Sequence, residues 1–414
     1  MSELEIRPLR ADEIDRFVSL SYYAFAGRTP DERVGDFVRR IRPERNVLVA
    51  VEDDEIVSQV MIYEFGVWID GVRYSAGGLA NVATIPEKAR RGFAKHLLRA
   101  SLAWMRQELD ISVSTLYPTV YPLYHGLGWA PAGEAVRYVG PPTAFRPSAL
   151  LPEEHGGRIE RRLARIEDVE LLEPVYRAFA RPRSGYLDRP RWYWEDNVLR
   201  FRRSAPPRWL TLWYSPDDQL AGYLLYTLDG HPLGETSDAQ LSIYELISLR
   251  PEGYRALLTF LSAHHLWRRV VLECGRDVPV PALVENPHLF EVQVPVSGRF
   301  LFRVVDLEKA LGSRSGVPPS QAVDLALQVR DDAAPWNDGT WRVGWRTDRW
   351  VCERAPGRTP DASVDIATLS ALFCGSIDVR QAIDIGALRA TTDVRDGLRC
   401  LFTTVYPPHS RDHF

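Results

Sequence analysis

The chain has 414 residues, 45% of them hydrophobic and 26% charged, with a formal net charge of −4. That length implies about two to four domains, and the slightly acidic balance argues against nucleic acid as the main partner while mildly suiting a cationic substrate. Apolar runs fall short of the roughly 20 residues a bilayer span needs. Charges at Glu3, Glu5, Arg7 and Asp12 interrupt any signal-peptide core, and Cys274, Cys352, Cys374 and Cys400 lack metal-type spacing. Reduced thiols in a cytoplasmic setting, with no metal and no membrane partner, are therefore expected.

Ile6 to Ile14 reads as a strand running into a helix whose aromatic stripe, Tyr22-Tyr-Ala-Phe-Ala26, packs on a sheet. Asp12, Glu13 and Asp15 are expected on a solvated face at that helix N-terminus. Asn46–Glu52 and Glu55–Tyr63 form hairpin strands around Asp53-Asp54. Phe25 and Trp68 are candidates for lining a pocket or for filling the core.

The stretch from Asn81 to Trp129 carries most of the chemistry. The apolar run Gly78-Leu-Ala-Asn-Val-Ala-Thr-Ile85 closes at Pro86, and the basic turn Glu87-Lys-Ala-Arg-Arg-Gly-Phe-Ala94 opens into an amphipathic helix. Free N–H groups at a helix N-terminus, its dipole and the guanidinium groups of Arg90 and Arg91 make an anion site. Gly92 lets phosphates approach the backbone. About thirty residues on stands Tyr124-His-Gly-Leu-Gly-Trp129, a tyrosine just before a turn and a strand. His125 is a lesser candidate base.

Gly140-Pro-Pro-Thr-Ala-Phe-Arg-Pro reads as a linker broken by prolines. After it the opening pattern returns: Ile159 to Val169 precedes Tyr176-Arg-Ala-Phe-Ala180 as Ile6 to Ile14 precedes Tyr22. Trp209–Tyr214, a Ser215-Pro-Asp-Asp turn and Leu220–Leu228 repeat the hairpin, so the chain holds two copies of one fold. The second copy's strand Leu241–Leu249 leads into Arg250-Pro-Glu-Gly-Tyr-Arg-Ala, without the Arg-Arg-Gly-x-Ala turn. That copy keeps the fold and loses the cofactor. His264-His265 on a helix face different sides and have no metal-binding partner. Beyond about Ser297, alternating strands at Arg299–Asp306, Asp324–Arg330 and Gly339–Arg346 precede a helix over Ile366–Phe373. Trp336, Trp341 and Trp345 either line a pocket there or fill the core.

The strand, basic turn, helix and later tyrosine segment resemble the cofactor-binding core of the GNAT N-acetyltransferases, whose signature is Arg/Gln-x-x-Gly-x-Gly/Ala followed by Tyr-x-x-x-Gly-aromatic. Gly92 and Ala94 fit, while Ala89 stands where Arg or Gln is usual. The closing segment resembles a sterol-carrier-protein-like α+β domain. In that order, the three parts resemble the Eis (enhanced intracellular survival) family of acetyltransferases over essentially the whole chain. The resemblance implies an α/β and α+β fold: tandem GNAT domains, each a mixed twisted sheet flanked by helices, then the sterol-carrier-like domain. The expected boundaries are 1–140, a linker over 141–157, 158–297 and 298–414.

It further implies acetyl-CoA as co-substrate and primary amines as acceptors, among them aminoglycosides, polyamines and protein lysines, in a homohexamer built as a dimer of trimers. Carried over by motif, acetyl-CoA contacts fall on Val82, Thr84, Arg90, Arg91, Gly92, Ala94 and Thr119. The general acid falls on Tyr124 and the base on the terminal carboxylate of Phe414. The alternatives are a tandem-GNAT enzyme using another acyl donor and a non-catalytic lipid- or metabolite-binding protein.

Overall fold

The computed structural model describes residues 4–25, 42–153, 157–199, 208–231, 239–295, 299–315 and 317–414. Ala26, which closes the first aromatic repeat, and Ser297, the expected start of the last segment, lie outside them.

Three sheets organise the described residues. The first begins with β1 (Glu5–Pro8), β2 (Val47–Glu52), β3 (Glu55–Ile69), β4 (Val72–Thr84) and β5 (Val113–Leu116) in that order. Along β2, Val47, Val49 and Val51 pack with Ile14 and Phe17 of helix α1 (Ile14–Phe25). Leu48 and Ala50 pack with Leu97 and Leu102 of α2 (Phe93–Gln107) on the other face. Period-two alternation with both faces buried explains why these strands are apolar throughout. Only β4 and β5 run parallel in this sheet, joined through α2. A short helix α3 (Tyr121–His125) follows β5 and leads to β6 (Ala130–Gly133).

The second sheet repeats the plan. Its order is β14 (Glu291–Gln293), β7 (Ala135–Gly140), β13 (Arg269–Gly275), β12 (Gln240–Ser248), β11 (Leu220–Asp229), β10 (Arg208–Tyr214) and β8 (Arg158–Leu163). Helices α4 (Val169–Ala180) and α5 (Pro251–Ser262) stand where α1 and α2 do in the first copy. The duplication extends to single bonds. Arg7 grips Glu13 at 2.7 and 2.8 Å, and Glu13 accepts the Arg10 N–H; Arg162 grips Asp168 at 2.6 and 2.7 Å, and Asp168 accepts the Arg165 N–H. Glu13 is thus buried and paired, not part of a solvated face, and the Arg7 bond holds its carboxyl down at about 2. Asp12 and Asp15 are exposed as expected.

The copies exchange strands. β7, which follows the first copy, pairs with β13 of the second, while β15 (Phe300–Val304), which follows the second, pairs with β5 and β6 of the first. A two-residue strand β9 (Leu187–Asp188) also joins the outer half of β3. Cuts at 140 and 298 therefore run through this exchange: β7 belongs to the second sheet, and β15 to the first. The 141–157 segment, where described, is packed rather than free. Phe145 is fully buried, the Ser148 N–H donates to Leu283, and the Arg255 guanidinium donates to carbonyls of Ser148, Leu151 and Pro152.

The third sheet is β18 (Arg349–Arg354), β17 (Gly339–Arg346), β16 (Asp324–Arg330), β19 (Ala362–Asp365) and β20 (Leu388–Ala390). Helix α6 (Ile366–Cys374) packs against β15 and ends at Gly375 in the left-handed conformation. Trp341 and Trp345 pack in the core, and Trp336 donates its indole N–H to the Val305 carbonyl at 2.7 Å. Among the described residues no helix is long and apolar enough to cross a membrane.

Candidate active site

The site begins where β4 and β5 part. Parallel pairing joins Ala76–Leu79 to Val113–Leu116 and stops, while β4 runs on to Thr84. Opposite Val60 of β3, β4 carries two residues, Asn81 and Val82, where the ladder has room for one. Asn81 has φ of 51°. This bulge bends β4, and beyond Leu79 its β5-side edge has no strand partner among the described residues. Val82 and Thr84 lie on that stretch. The Thr84 hydroxyl is 2.9 Å from that of Ser58, which leaves its backbone as the free part.

The basic turn caps this edge. Arg90 adopts φ of 63°, and Gly92, at φ of 87°, precedes α2 with no side-chain cap. The first N–H groups of α2 therefore point outward unpaired by the helix. A side chain at Gly92 would be strained in this conformation. Arg91 differs from expectation. Glu52, at the end of β2, accepts from its two terminal guanidinium nitrogens at 2.7 and 2.9 Å and also from Lys88 at 2.6 Å. Lys88 first, then Arg91, hold the Glu52 carboxyl below its ordinary range against the opposing effect of burial. Arg91 thus braces the turn, and Arg90 remains exposed with no polar partner among the described residues. Ala94 is half-buried on the first turn of α2.

Tyr124 closes the other side. It is 4% exposed and packs with Leu79 and Leu116, the last pair before the strands part, and with Phe93 and Trp129. Burial pushes its hydroxyl up, and a hydrogen bond with Thr119 pulls the other way. The Gly-Leu-Gly-Trp turn after it now has a physical reason. Gly128 has φ of 92°, and the buried Arg303 guanidinium occupies the space a Cβ would need. Arg303 donates to the Leu127 carbonyl and binds Asp331 through two bonds of 2.8 and 2.9 Å, with both side chains fully buried. Asp331 also accepts from Asn337 and the Ala334 N–H, so the third domain locks the tyrosine turn. Asp331→Ala leaves a buried cation without its partner and should cost about 3–5 kcal/mol in urea unfolding.

The chain end docks on the same strands, on the face opposite Tyr124. The Phe414 ring lies 4.9 Å from Phe65, 5.7 Å from Tyr63 and 5.9 Å from Tyr117. Gly78 admits it, since a Cβ there would meet the ring at 2.6 Å. Trp192, from the second copy, stacks on Tyr63 and Phe65 at 5.6 and 5.9 Å. The Tyr193 hydroxyl donates to the His413 carbonyl at 3.0 Å, and the Tyr117 hydroxyl to the Ser410 carbonyl at 3.0 Å. From Gly78 to Thr84 is about 20 Å of strand, with the chain end at one extreme and the basic turn beyond the other. Tyr63, Phe65, Tyr117 and Trp192 escaped the sequence reading, because isolated aromatics in apolar strands read as core.

The remaining candidates fall elsewhere. Phe25 is exposed at the end of α1. Trp68 exchanges backbone bonds with Gly185 and Tyr186 between the two copies. His125 is exposed and stacks on Tyr121 at 5.3 Å. His264 bonds the Phe260 carbonyl, and among the described residues no group of three or more His, Cys, Asp or Glu could hold a metal. A cleft of about 990 Å³ opens between the Thr119–His125 segment, the start of α6 and Pro407-Pro408.

A mixed sheet whose parallel pair parts at a bulge, followed by a helix that opens on a left-handed glycine, is the arrangement of a GNAT fold. Family models for an acetyltransferase (GNAT) domain match residues 5–132 and again 185–304, and one for a sterol carrier protein domain matches residues 307–410. An uncharacterized N-acetyltransferase of Streptomyces griseus is 26% identical over 337 residues, covering 77% of this chain and 76% of that one. Another, from Streptomyces coelicolor, is 24% identical over 407 residues, covering 95% and 94%. A GNAT structure from Anabaena variabilis superposes with TM-score 0.85 at 21% identity, covering 100% of both chains. Eis1 from Mycobacterium abscessus superposes with TM-score 0.80 at 22% identity, covering 99% of this chain and 100% of that one. The chain is an N-acetyltransferase built from two GNAT domains and a sterol carrier protein domain.

Proposed function

We propose that the protein transfers the acetyl group of acetyl-CoA to a primary amine carried by a small cation or a lysine side chain. The observation that carries this is the arrangement of four features around the parted strands β4 and β5: the unpaired edge of β4, the exposed Arg90 beside Gly92 at its far end, buried Tyr124 on one face and the docked chain end on the other. Val82 and Thr84 offer backbone to the pantetheine arm, while Arg90, Gly92 and the first N–H groups of α2 offer positive charge to the pyrophosphate. Thr119 orients Tyr124.

Bound acetyl-CoA supplies an activated acetyl thioester. The chain's own residues supply the rest. The edge of β4 presents backbone N–H groups to the carbonyl oxygen as charge grows on it. The terminal carboxylate of Phe414, with no cation beside it among the described residues, draws the ammonium and takes its proton through water. Tyr124 donates its hydroxyl proton toward the departing sulfur. Aromatic walls from Tyr63, Phe65, Tyr117 and Trp192 favour an amine held on an apolar body. The same reading carries membership of the Eis family, action in the cytoplasm and assembly as a hexamer.

The cofactor half of this reading has a direct test. Arg90→Ala removes one charge-assisted contact and should raise the KM for acetyl-CoA about tenfold, with kcat little changed. An unchanged KM moves the pyrophosphate away from this turn.

A further inference from the structure

The second domain contains the same parting of strands as the first. Pairing of β12 with β13 ends at Ile243–Leu272, and β12 carries an extra residue, Tyr244, at a register shift opposite β11. Its helix start differs: Arg250 caps α5 at φ of −134°, with no left-handed glycine. The groove between these strands is not empty. The C-terminal tail lies in it. Arg411 donates to the Glu273 carbonyl, and its guanidinium stands 4.6 Å over Tyr244. Gly275 makes room for the His409 ring, and the His409 N–H donates to the Ser184 carbonyl at 2.9 Å.

At the inner end of the groove is a buried ionic set. Arg189 reaches Asp412 Oδ1 through Nε at 2.9 Å and through Nη2 at 2.7 Å, and also donates to Glu245. The Tyr223 hydroxyl donates to Glu245 at 2.7 Å, and the Tyr176 hydroxyl lies 3.2 Å from Asp412 Oδ2. Arg189 and Glu245 are each 6% exposed, and Asp412 is 1% exposed. One cation between two carboxylates, all out of water, is a poor device for stability, since apolar packing of equal volume does as well or better. What such a set provides is a fixed position.

We propose that the second domain's former cofactor groove is the seat of the tail, and that Arg189, acting through Asp412, sets where the terminal carboxylate stands. This rests on the reading of that carboxylate as the base. Only His413, pinned through its carbonyl by Tyr193, separates Asp412 from Phe414. Arg189 and Asp412 are positioning residues, and they work through the chain end. The degenerate domain thus contributes to catalysis without binding cofactor.

Asp412→Asn keeps the side-chain shape and leaves Arg189 paired one-to-one with Glu245, so the protein should fold. Its kcat should fall about tenfold or more, the scale of a misplaced reacting group, while the acetyl-CoA KM stays within about twofold. Arg189→Lys, which keeps the charge and loses the fork, should show the same split. In a protein extended by Gly-Ser after Phe414, Asp412→Asn should reduce the residual turnover no further, because the group it places is gone. Wild-type kcat in Asp412→Asn, or an equal fractional loss in the extended protein, overturns the positioning role. Full activity of the extended protein by itself is a separate result: it removes the terminal carboxylate from the chemistry, and this proposal with it.

Discussion

Tyr124→Phe should lower turnover by about 10²-fold or more while acetyl-CoA binding survives. The ring is what packs against Leu79, Leu116 and Trp129, and phenylalanine keeps it. Only the hydroxyl and its bond to Thr119 are lost, at a stability cost of about 1 kcal/mol. Burial pushes that hydroxyl up, so it holds its proton at neutral pH and is loaded as an acid. Full transfer to a thiolate, whose ordinary pKa is about 8.5 against about 10 for an unshifted tyrosine, is uphill by roughly 2 kcal/mol, and by more for a hydroxyl that burial has pushed up. That penalty is small beside an acyl-transfer barrier, and it suits a donor that tracks charge as the sulfur leaves. Turnover by thiol release and binding by calorimetry separate the cases. Turnover within about twofold of the parent protein removes Tyr124 from the chemistry.

Extending the chain by Gly-Ser after Phe414 should lower turnover to a similar degree and leave the fold intact. The extension turns the terminal carboxylate into a neutral amide on the residue whose ring packs against Tyr63, Phe65 and Tyr117. A free α-carboxylate titrates at about 3.3–3.7 and an alkylammonium near 10.4, so at neutral pH the two attract before any proton moves. The amide offers no such attraction. The tail upstream keeps its anchors at Ser410, Arg411 and Asp412, so the thermal midpoint should move little. The same residues added at the N-terminus are the control. An active C-terminally extended enzyme takes the carboxylate out of the mechanism.

Much of the fold was legible because it is written locally. The turn at Asp53-Asp54, the second Tyr-x-Ala-Phe-Ala stripe and the Gly92 helix start each occupy a short window, and each appears where the pattern puts it; in the first stripe Tyr23 and Phe25 are exposed instead of packing on the sheet. Strand exchange was not legible. β7 and β15 satisfy the alternation rule equally well in either sheet, and their partners lie far away in sequence. The tail shows the same limit. His409-Ser-Arg-Asp-His413 reads as a polar chain end, and the partners that bury it, Arg189, Glu245 and Glu273, stand well over a hundred residues away. Glu52 lies 39 residues from Arg91, so the basic turn alone could not show that one of its two arginines is already paired. Gly128 carried a motif match from the start; its cause, the Arg303 guanidinium packed against it, came only with the third dimension.

Thiol release from acetyl-CoA by the untagged protein decides whether the acetyl group passes to an amine. An aminoglycoside, a polyamine, a lysine peptide and an arylalkylamine make the acceptor panel. The site described here predicts release that depends on the amine, saturates in both substrates and is lost in Tyr124→Phe. Release that ignores every amine, or persists in Tyr124→Phe at the parent rate, contradicts it.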